Sequence, residues 1–484
     1  MPPKPRFVCM GKDDLVWEKL DEATDKWVAS IRTKETYRAV GSLILKHKNG
    51  QAERMHPAVK GGYNVVYRLE YKDGTSAIMR VPIRGATMRY IAANTTIPVP
   101  HVYHYRTAAE NPTGLGPFII MDYIEHHQNM SRELLDPRRA AGQRPVLDPS
   151  ISEEKLEFLY SQMANFLLQL FSLKFPRIGS LVEEKGGDSV SIKGRPLIAN
   201  MNDLVVHTGA PASILPSQTY TSTDEWYTAL ADMHVAQLAF QHNDAVEDKD
   251  DAYDKFTARQ LFRNLDAERR LLTPDLLQSD NGGFRLFSED FRPANVLLNK
   301  DLQVVGVIDW EFVYAAPAQF SFDPPWWLLL EEPEYWTGGY HAWMEAFEPR
   351  FRTFLRVLEA EEKEMAAADI AEKKVGALSP ASDGKTERPL SQHMRESWER
   401  RTWMLNYAAR KSWAFDFIWW KYLDREYFGP NDNQDHSDRL GLLSEPQRNV
   451  MEAFVARKME VSKNRDIVKW EDGHAADYLA KLLV

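Results

Sequence analysis

Residues 284–312 read FRLFSEDFRPANVLLNKDLQVVGVIDWEF, and this stretch decides the fold. Asp290 opens a short loop, Pro293 fixes its backbone, and Asn295 closes it. An apolar run follows (VLL), then turn residues (Asn299-Lys300-Asp301), then a second apolar run (VVGVI) that ends on Asp309. Two apolar runs around such a turn predict a β-hairpin. The ends of a hairpin lie side by side, so the pattern returns Asp309 to Asn295 without a long loop. Asp and Asn separated by four residues are commonplace in loops. The information lies in the conjunction of loop, strand, turn, strand and terminal carboxylate.

That conjunction is a set of parts that phosphoryl transfer needs. One carboxylate must stand beside an attacking hydroxyl, to orient it and accept its proton. An amide oxygen and a second carboxylate must hold a divalent cation against nucleotide phosphates.

Working outward, residues 61–83, GGYNVVYRLEYKDGTSAIMRVPI, predict another hairpin. Val65, Tyr67 and Leu69 alternate with residues of the opposite face, Asp73-Gly74 marks the turn, and Ala77 to Val81 return. ATMRYIAANTT is a short helical piece, IPVPHVYHY an extended edge, and PFIIMDYIE (117–125) a further strand. Residues 61–125 therefore predict a small, mostly β lobe. Residues 1–55 read as a helical extension with Trp17, Leu20, Trp27 and Ile31 on one stripe. Residues 136–150 are a Pro- and Arg-rich loop. The next segment places Leu156, Leu159, Met163, Phe166, Leu167 and Leu170 on one helical face, with Ser150 and Glu153 as a capping box. Residues 176–224 read as loop-rich, 224–242 and 254–272 as helical, and helices dominate from about 340, around a surface insert at 376–389. The expected class is α+β, with an extension (1–55), a β lobe (56–128) and a larger helical lobe (129–484).

Composition narrows the function classes. The 484 residues include 60 Lys+Arg and 70 Asp+Glu, a formal charge of −10 with no basic tail, which argues against nucleic-acid binding. No apolar run approaches the ~18–20 residues of a membrane span. The single cysteine, Cys9, excludes an intramolecular disulfide and fits a reducing compartment. The expectation is a cytoplasmic protein, with mitochondrial import as the alternative because basic residues precede Asp13.

The segment DFRPANVLLNKDLQVVGVIDWEF resembles the catalytic segment of the aminoglycoside phosphotransferase and choline kinase superfamily, in particular its fungal phosphotransferase-like group. GGYNVVYRLEY, AIMRVPI, TTIPVPHVYHY, GPFIIMDYIE, PAQFSFDPPWWLLL and RESWERRTWMLNYAARKSWAFDFIWW follow the family's order across roughly residues 55–430. The resemblance implies a protein-kinase-like bilobal fold with ATP between the lobes. It implies Asp290 as catalytic base, Asn295 and Asp309 as Mg²⁺ ligands, and Ile120 to Ile124, including Met121 and Tyr123, as the hinge beside the adenine. Gly61 and Gly62 become phosphate-loop candidates, although two glycines before a strand ordinarily just make a turn. Arg80 stands where such enzymes have a lysine, and its fork suits phosphate oxygens. The late helices carrying Trp398, Trp403, Trp413, Trp419 and Trp420 correspond to the acceptor lobe. Their helical spacing reads as core, and a cation-binding role is the rarer alternative. Asp323 is either a loop carboxylate or an acceptor contact.

Three departures stand out. Ser288-Glu289-Asp290 lacks the histidine that commonly braces this loop two residues before the aspartate. No acidic residue occurs between Arg80 and Glu110, so Arg80 lacks the helix glutamate expected to face it, and Arg84 adds like charge. The link from Ile83 to that helix is also short. A coding segment missing between Ile83 and Ala86 and a true loss of activity account for the last two equally well. The expected function is ATP- and Mg²⁺-dependent phosphoryl transfer to a hydroxyl of an unidentified small molecule. The rival is a catalytically impaired pseudokinase that binds nucleotide or acts as a scaffold.

Overall fold

The computed structural model describes residues 4, 9–61, 64–81, 86–140, 142–184, 189–272, 283–375 and 388–484, without the side chains of 86 and 369–375. Gly62, Arg84 and most of the 376–389 insert lie outside the described residues. Two helices come first, α1 (Asp14–Ile31) and α2 (Lys34–His47). Asp13 caps α1 by accepting from the Val16 N–H at 3.0 Å. The buried face of α1 is Val16, Val28 and Ile31, not the expected tryptophan stripe. Trp17 and Trp27 are exposed, and Trp17 stacks on His207 instead. Bulk at helical spacing suggested that stripe, but the partners of α1 are the small sheet and one helix of the large lobe.

The small lobe is a sheet of β1 (Ala52–Met55), β2 (Val59–Lys60), β3 (Val65–Tyr71), β4 (Ser76–Val81), β5 (Val102–Arg106) and β6 (Phe118–Asp122), with α3 (Ala86–Asn94) between β4 and β5. Strand order is β1-β3-β4-β6-β5, with β2 also on β3. The expected turn is present: Gly74 has φ +84°, which only glycine adopts readily, and Asp73 Oδ1 accepts from the Thr75 N–H at 2.9 Å. Alternation assigns the two faces. Val65, Tyr67, Leu69, Met79 and Ile120 pack with Val40, Leu43 and Ile44 of α2 in one core. The register pairs Arg80 with Val66 and Ile119, and Ile78 with Met121, on the opposite face.

The large lobe begins with β7 (Gln128–Asn129), α4 (Met130–Leu134) and α5 (Glu153–Ser172). The cap of α5 is Ser152, whose side chain accepts from the Lys155 N–H. Ser150 is turned to Asp148 and takes no part. Residues 176–224 hold more structure than their composition suggests: after β8 (Lys174–Phe175) come the hairpin β9 (Ser180–Glu183) and β10 (Val190–Gly194), then α6 (Ala199–Thr208). Next are α7 (Thr223–Phe240), α8 (Lys249–Ala267), β11 (Phe284–Ser288), β12 (Val296–Leu298), β13 (Val304–Val307) and β14 (Val313–Ala316). The remaining helices are α9 (Gly339–Val375), α10 (Leu390–Arg400), α11 (Thr402–Arg410), α12 (Phe415–Ile418), a π-turn at Trp419–Leu423, α13 (Asp424–Phe428), α14 (Glu445–Asn464) and α15 (Asp472–Leu482). Trp403, Trp413, Trp419 and Trp420 are buried within this helical core. No helix among the described residues is long and apolar enough to cross a membrane.

Candidate active site

Strands β12 and β13 form the expected hairpin, with Val296 opposite Val307. Asn299 Oδ1 closes its turn by accepting from the N–H groups of Asp301 (2.9 Å) and Gln303 (3.0 Å). The Ile308 N–H donates to Asn295 O at 2.9 Å, and this bond sets Asp309 beside the Asp290–Asn295 loop. Asp309 has φ +63°, a conformation unfavourable for a side chain with a Cβ and typical of functional turns. Contacts bind the hairpin to the linkers of the small lobe, the His127 N–H donating to Leu298 O at 2.7 Å among them. The Val307 N–H donates to Pro98 O at 2.7 Å, and Gly306 lies against Ile124.

Asp290 and Asn295 meet directly. Asn295 Nδ2 donates to Asp290 Oδ2 and to Asp290 O, each at 2.9 Å. This turns the amide oxygen of Asn295 away from Asp290. Arg292 Nε lies 2.7 Å from Asp290 Oδ1. Burial raises the Asp290 carboxyl above its ordinary range, against the pull of Arg292 and Asn295. A raised carboxyl is the better proton acceptor near neutral pH. The amide oxygen of Asn295 and the carboxylate of Asp309 are hard oxygen donors, the ligand type suited to Mg²⁺.

Arg80 reaches this loop from the sheet above. Its side chain is 8% exposed and pairs through Nη1 with Asp309. Nη2 lies 3.5 Å from Glu311 Oε1. With its amide oxygen facing the guanidinium, Asn64 accepts from Arg80 Nε at 3.1 Å and Nη2 at 2.6 Å. Arg80, Asp290, Asn295 and Asp309 are thus brought to one place. Gly61 borders it: the Gly61 N–H donates to Asn64 O at 2.8 Å. The hinge residues divide. Met121 shares the face of Arg80, whereas Ile120 points into the opposite core. Tyr123 lies under the guanidinium of Arg68, 3.8 Å from ring centre to carbon.

Four further residues belong to the site. Asn64 and Glu311 hold Arg80 as described. Burial pushes the Glu311 carboxyl up to about 7, although Arg80 opposes the shift. Glu289 is half-buried beneath the loop, accepting from the Ala199 N–H at 2.9 Å at the start of α6 and from Tyr314 OH at 3.4 Å. Asp323 is a loop-bracing carboxylate. It accepts from Arg410 Nη2 at 2.5 Å and Asn406 Nδ2 at 2.6 Å, and Arg410 lies between Phe287 and Phe320. Burial raises Asp323 to about 7. Glu289 follows directly from its neighbour Asp290 in the sequence; Asn64, Asp323 and Glu311 owe their roles to tertiary contacts. Beside them Lys411 Nζ pairs with Glu332 Oε1 at 2.6 Å, and its charge reaches both Glu289 and Asp290.

Comparison with known proteins places the chain in a family. Residues 54–359 match the model of the phosphotransferase enzyme family. The chain belongs to that family, and its fold is the protein-kinase-like, bilobal α+β class. A subtelomeric hrmA-associated cluster protein of Aspergillus fumigatus is 30% identical over 141 residues, covering 27% of this chain and 25% of that protein. The clavilactone A biosynthesis cluster protein Y of Ampulloclitocybe clavipes is 24% identical over 249 residues, 51% of this chain and 52% of that protein. The chain thus matches about a quarter to a half of the length of these relatives. Among solved structures, an amicoumacin kinase in complex with AMP-PNP and Ca²⁺ is 12% identical with a TM-score of 0.36, covering 92% of this chain and 98% of that one. An ethanolamine kinase of Plasmodium vivax is 11% identical with a TM-score of 0.34, covering 83% and 93%.

Proposed function

We propose that the protein transfers a phosphoryl group from ATP to a hydroxyl of a small molecule, with Mg²⁺ as the cation. The observation that carries this reading is the convergence of Asp290, Asn295, Asp309 and Arg80 at one hairpin beneath the sheet. Asp290, held by Asn295 and Arg292, orients the acceptor hydroxyl and takes its proton. Asn295 and Asp309 hold the cation, which screens the charge of the phosphates. Arg80 anchors those phosphates. Catalysis then rests on positioning and electrostatics more than on covalent chemistry. Gly61 would border the phosphates, and Met121 and Tyr123, with the backbone at Ile120, would border the base; Gly62, the other phosphate-loop candidate, lies outside the described residues.

A specific contact favours a second reading. Arg80 is paired with Asp309 itself, so the phosphate anchor and the metal carboxylate satisfy each other. That is the resting arrangement expected of a pseudokinase that keeps the fold as a scaffold. Calorimetric titration of ATP, with and without Mg²⁺, separates the enzyme from a scaffold that binds no nucleotide, and an acceptor screen separates it from a pseudokinase that does. The enzyme reading expects Mg²⁺-dependent binding. It also expects Asp290→Asn to retain that binding while losing transfer in an acceptor screen, and Asp309→Ala to weaken it tenfold or more. Absence of binding under both conditions sinks the proposal, and Asp290→Asn turning over at the wild-type rate refutes the base.

A further inference from the structure

A guanidinium buried in a strand needs carboxylate partners, because an unpaired buried charge is strongly destabilising. The helix after β4 gives Arg80 none. No acidic residue lies between Arg80 and Glu110, and the Arg89 of that helix is turned to Glu183 at 3.1 Å. The partners come from across the cleft. Asp309 meets Nη1 and Glu311 lies 3.5 Å from Nη2, so two carboxylates of one loop face the two terminal nitrogens of one fork. On the reading above, on which this inference rests, Asp309 serves the cation and is not a lasting partner for Arg80. Glu311 and the neutral Asn64 amide remain.

We infer that Glu311 is the positioning residue for Arg80, replacing from the metal loop the glutamate that a small-lobe helix supplies in kinases of this type. The replacement changes the coupling. A helix glutamate ties the basic residue to an element within its own lobe. Glu311 ties Arg80 to the loop that carries Asp309, so the phosphate anchor and the metal carboxylate are set together by one short segment of the large lobe.

The test is a double-mutant cycle on the full-length protein, with calorimetric affinity for ATP in excess Mg²⁺ as readout. Glu311→Gln weakens ATP binding fivefold or more in the wild-type background and less than twofold in Arg80→Ala. A purely structural Glu311 gives the same loss in both backgrounds, and that result overturns the inference. A loss that disappears when Mg²⁺ is raised makes Glu311 a metal ligand, and overturns it too. Should Glu311→Gln not fold, Glu311→Asp, which keeps the charge but shortens the reach, goes through the same cycle, and the same outcomes support or overturn the inference. A wild-type protein that binds no ATP removes the proposed function and this inference with it. A wild type that binds, with an additive cycle, removes this inference alone.

Discussion

Gly61→Ala tests whether the turn before β3 acts on the site through Asn64. A Cβ at Gly61 would stand 2.8 Å from the end of the Asn64 amide and 3.3 Å from its Cγ. The amide must therefore move, and it is the acceptor for Arg80 Nε at 3.1 Å and Nη2 at 2.6 Å. A hydrogen bond to a charged donor contributes about 1.5–3 kcal/mol. Partial loss, on the order of 1.4 kcal/mol, corresponds to about tenfold in ATP affinity. Gly61 is exposed and the neighbour that yields is a side chain, so the thermal midpoint should stay nearly unchanged. Titration calorimetry with ATP and Mg²⁺ on Gly61→Ala, Asn64→Ala and the double variant gives the answer. The two single variants should weaken binding alike, and the double variant should bind no worse than Asn64→Ala. Wild-type affinity in Gly61→Ala refutes the reasoning, as does a full-sized Gly61→Ala loss on top of Asn64→Ala.

Other outcomes follow from buried groups. Asp323→Ala strands Arg410 between two phenylalanines, a loss of about 3–5 kcal/mol, visible as a lower thermal midpoint that Arg410→Met in the same chain partly restores. Gly306→Ala presses a methyl onto Ile124, 3.3 Å from Cγ2 as well as against Cδ1, and overpacking of this kind costs about 1–3 kcal/mol. Trimming the neighbour with Ile124→Val should recover part of that loss in denaturant titrations. Lys458 is buried, donating to Ala239 O and Gln241 O, and desolvation lowers its ammonium to about 7. Its folded pKa is depressed, so from about pH 7 towards its ordinary 10.5 the unfolded chain binds the extra proton. Stability from this group therefore rises with pH across that window, by at most about 1.4 kcal/mol per pH unit, and levels off below about pH 7, where both states hold the proton. Lys458→Met should remove that slope, read as the wild-type minus variant difference in urea at pH 7 and pH 9; equal slopes count against it.

The hairpin from Asp290 to Asp309 was legible because short continuous apolar runs and turn chemistry are local signals, and strand pairing converts them into a spatial statement. The Asp73-Gly74 turn was legible for the same reason. The cap of α5 lies two residues on, since Ser150 with Glu153 matches the capping-box pattern but is drawn to Asp148, while Ser152, followed by Lys155, caps through a single bond that no box pattern marks. Helix α6 escaped notice because its strongest apolar anchors, Met201 and Leu204, sit among Asn and Asp that read as loop, and Ile198 supplies no side-chain cap. Within the site, Asp290, Asn295 and Asp309 carried a spacing. Asn64 and Glu311 carried none, because what selects them is a guanidinium arriving from another strand.

The two departures that argued for lost activity gain a different meaning from their surroundings. The missing loop histidine leaves Glu289, which accepts from the first N–H of α6, where the helix dipole favours a negative charge. The missing helix glutamate leaves Glu311 facing Arg80 from the metal loop. On the proposed function both stand in for what is missing; they are half-buried carboxylates, raised by desolvation and opposed by a nearby cation, Arg410 for Glu289 and Arg80 for Glu311. A chain released from the demands of the site has no reason to keep two such groups, since burying a carboxylate costs stability unless it is paired. On the proposed function, their presence around Asp290, Asn295 and Asp309 fits a rebuilt catalytic support better than a decayed one. It also explains why a reading confined to the motif positions counts only what was lost.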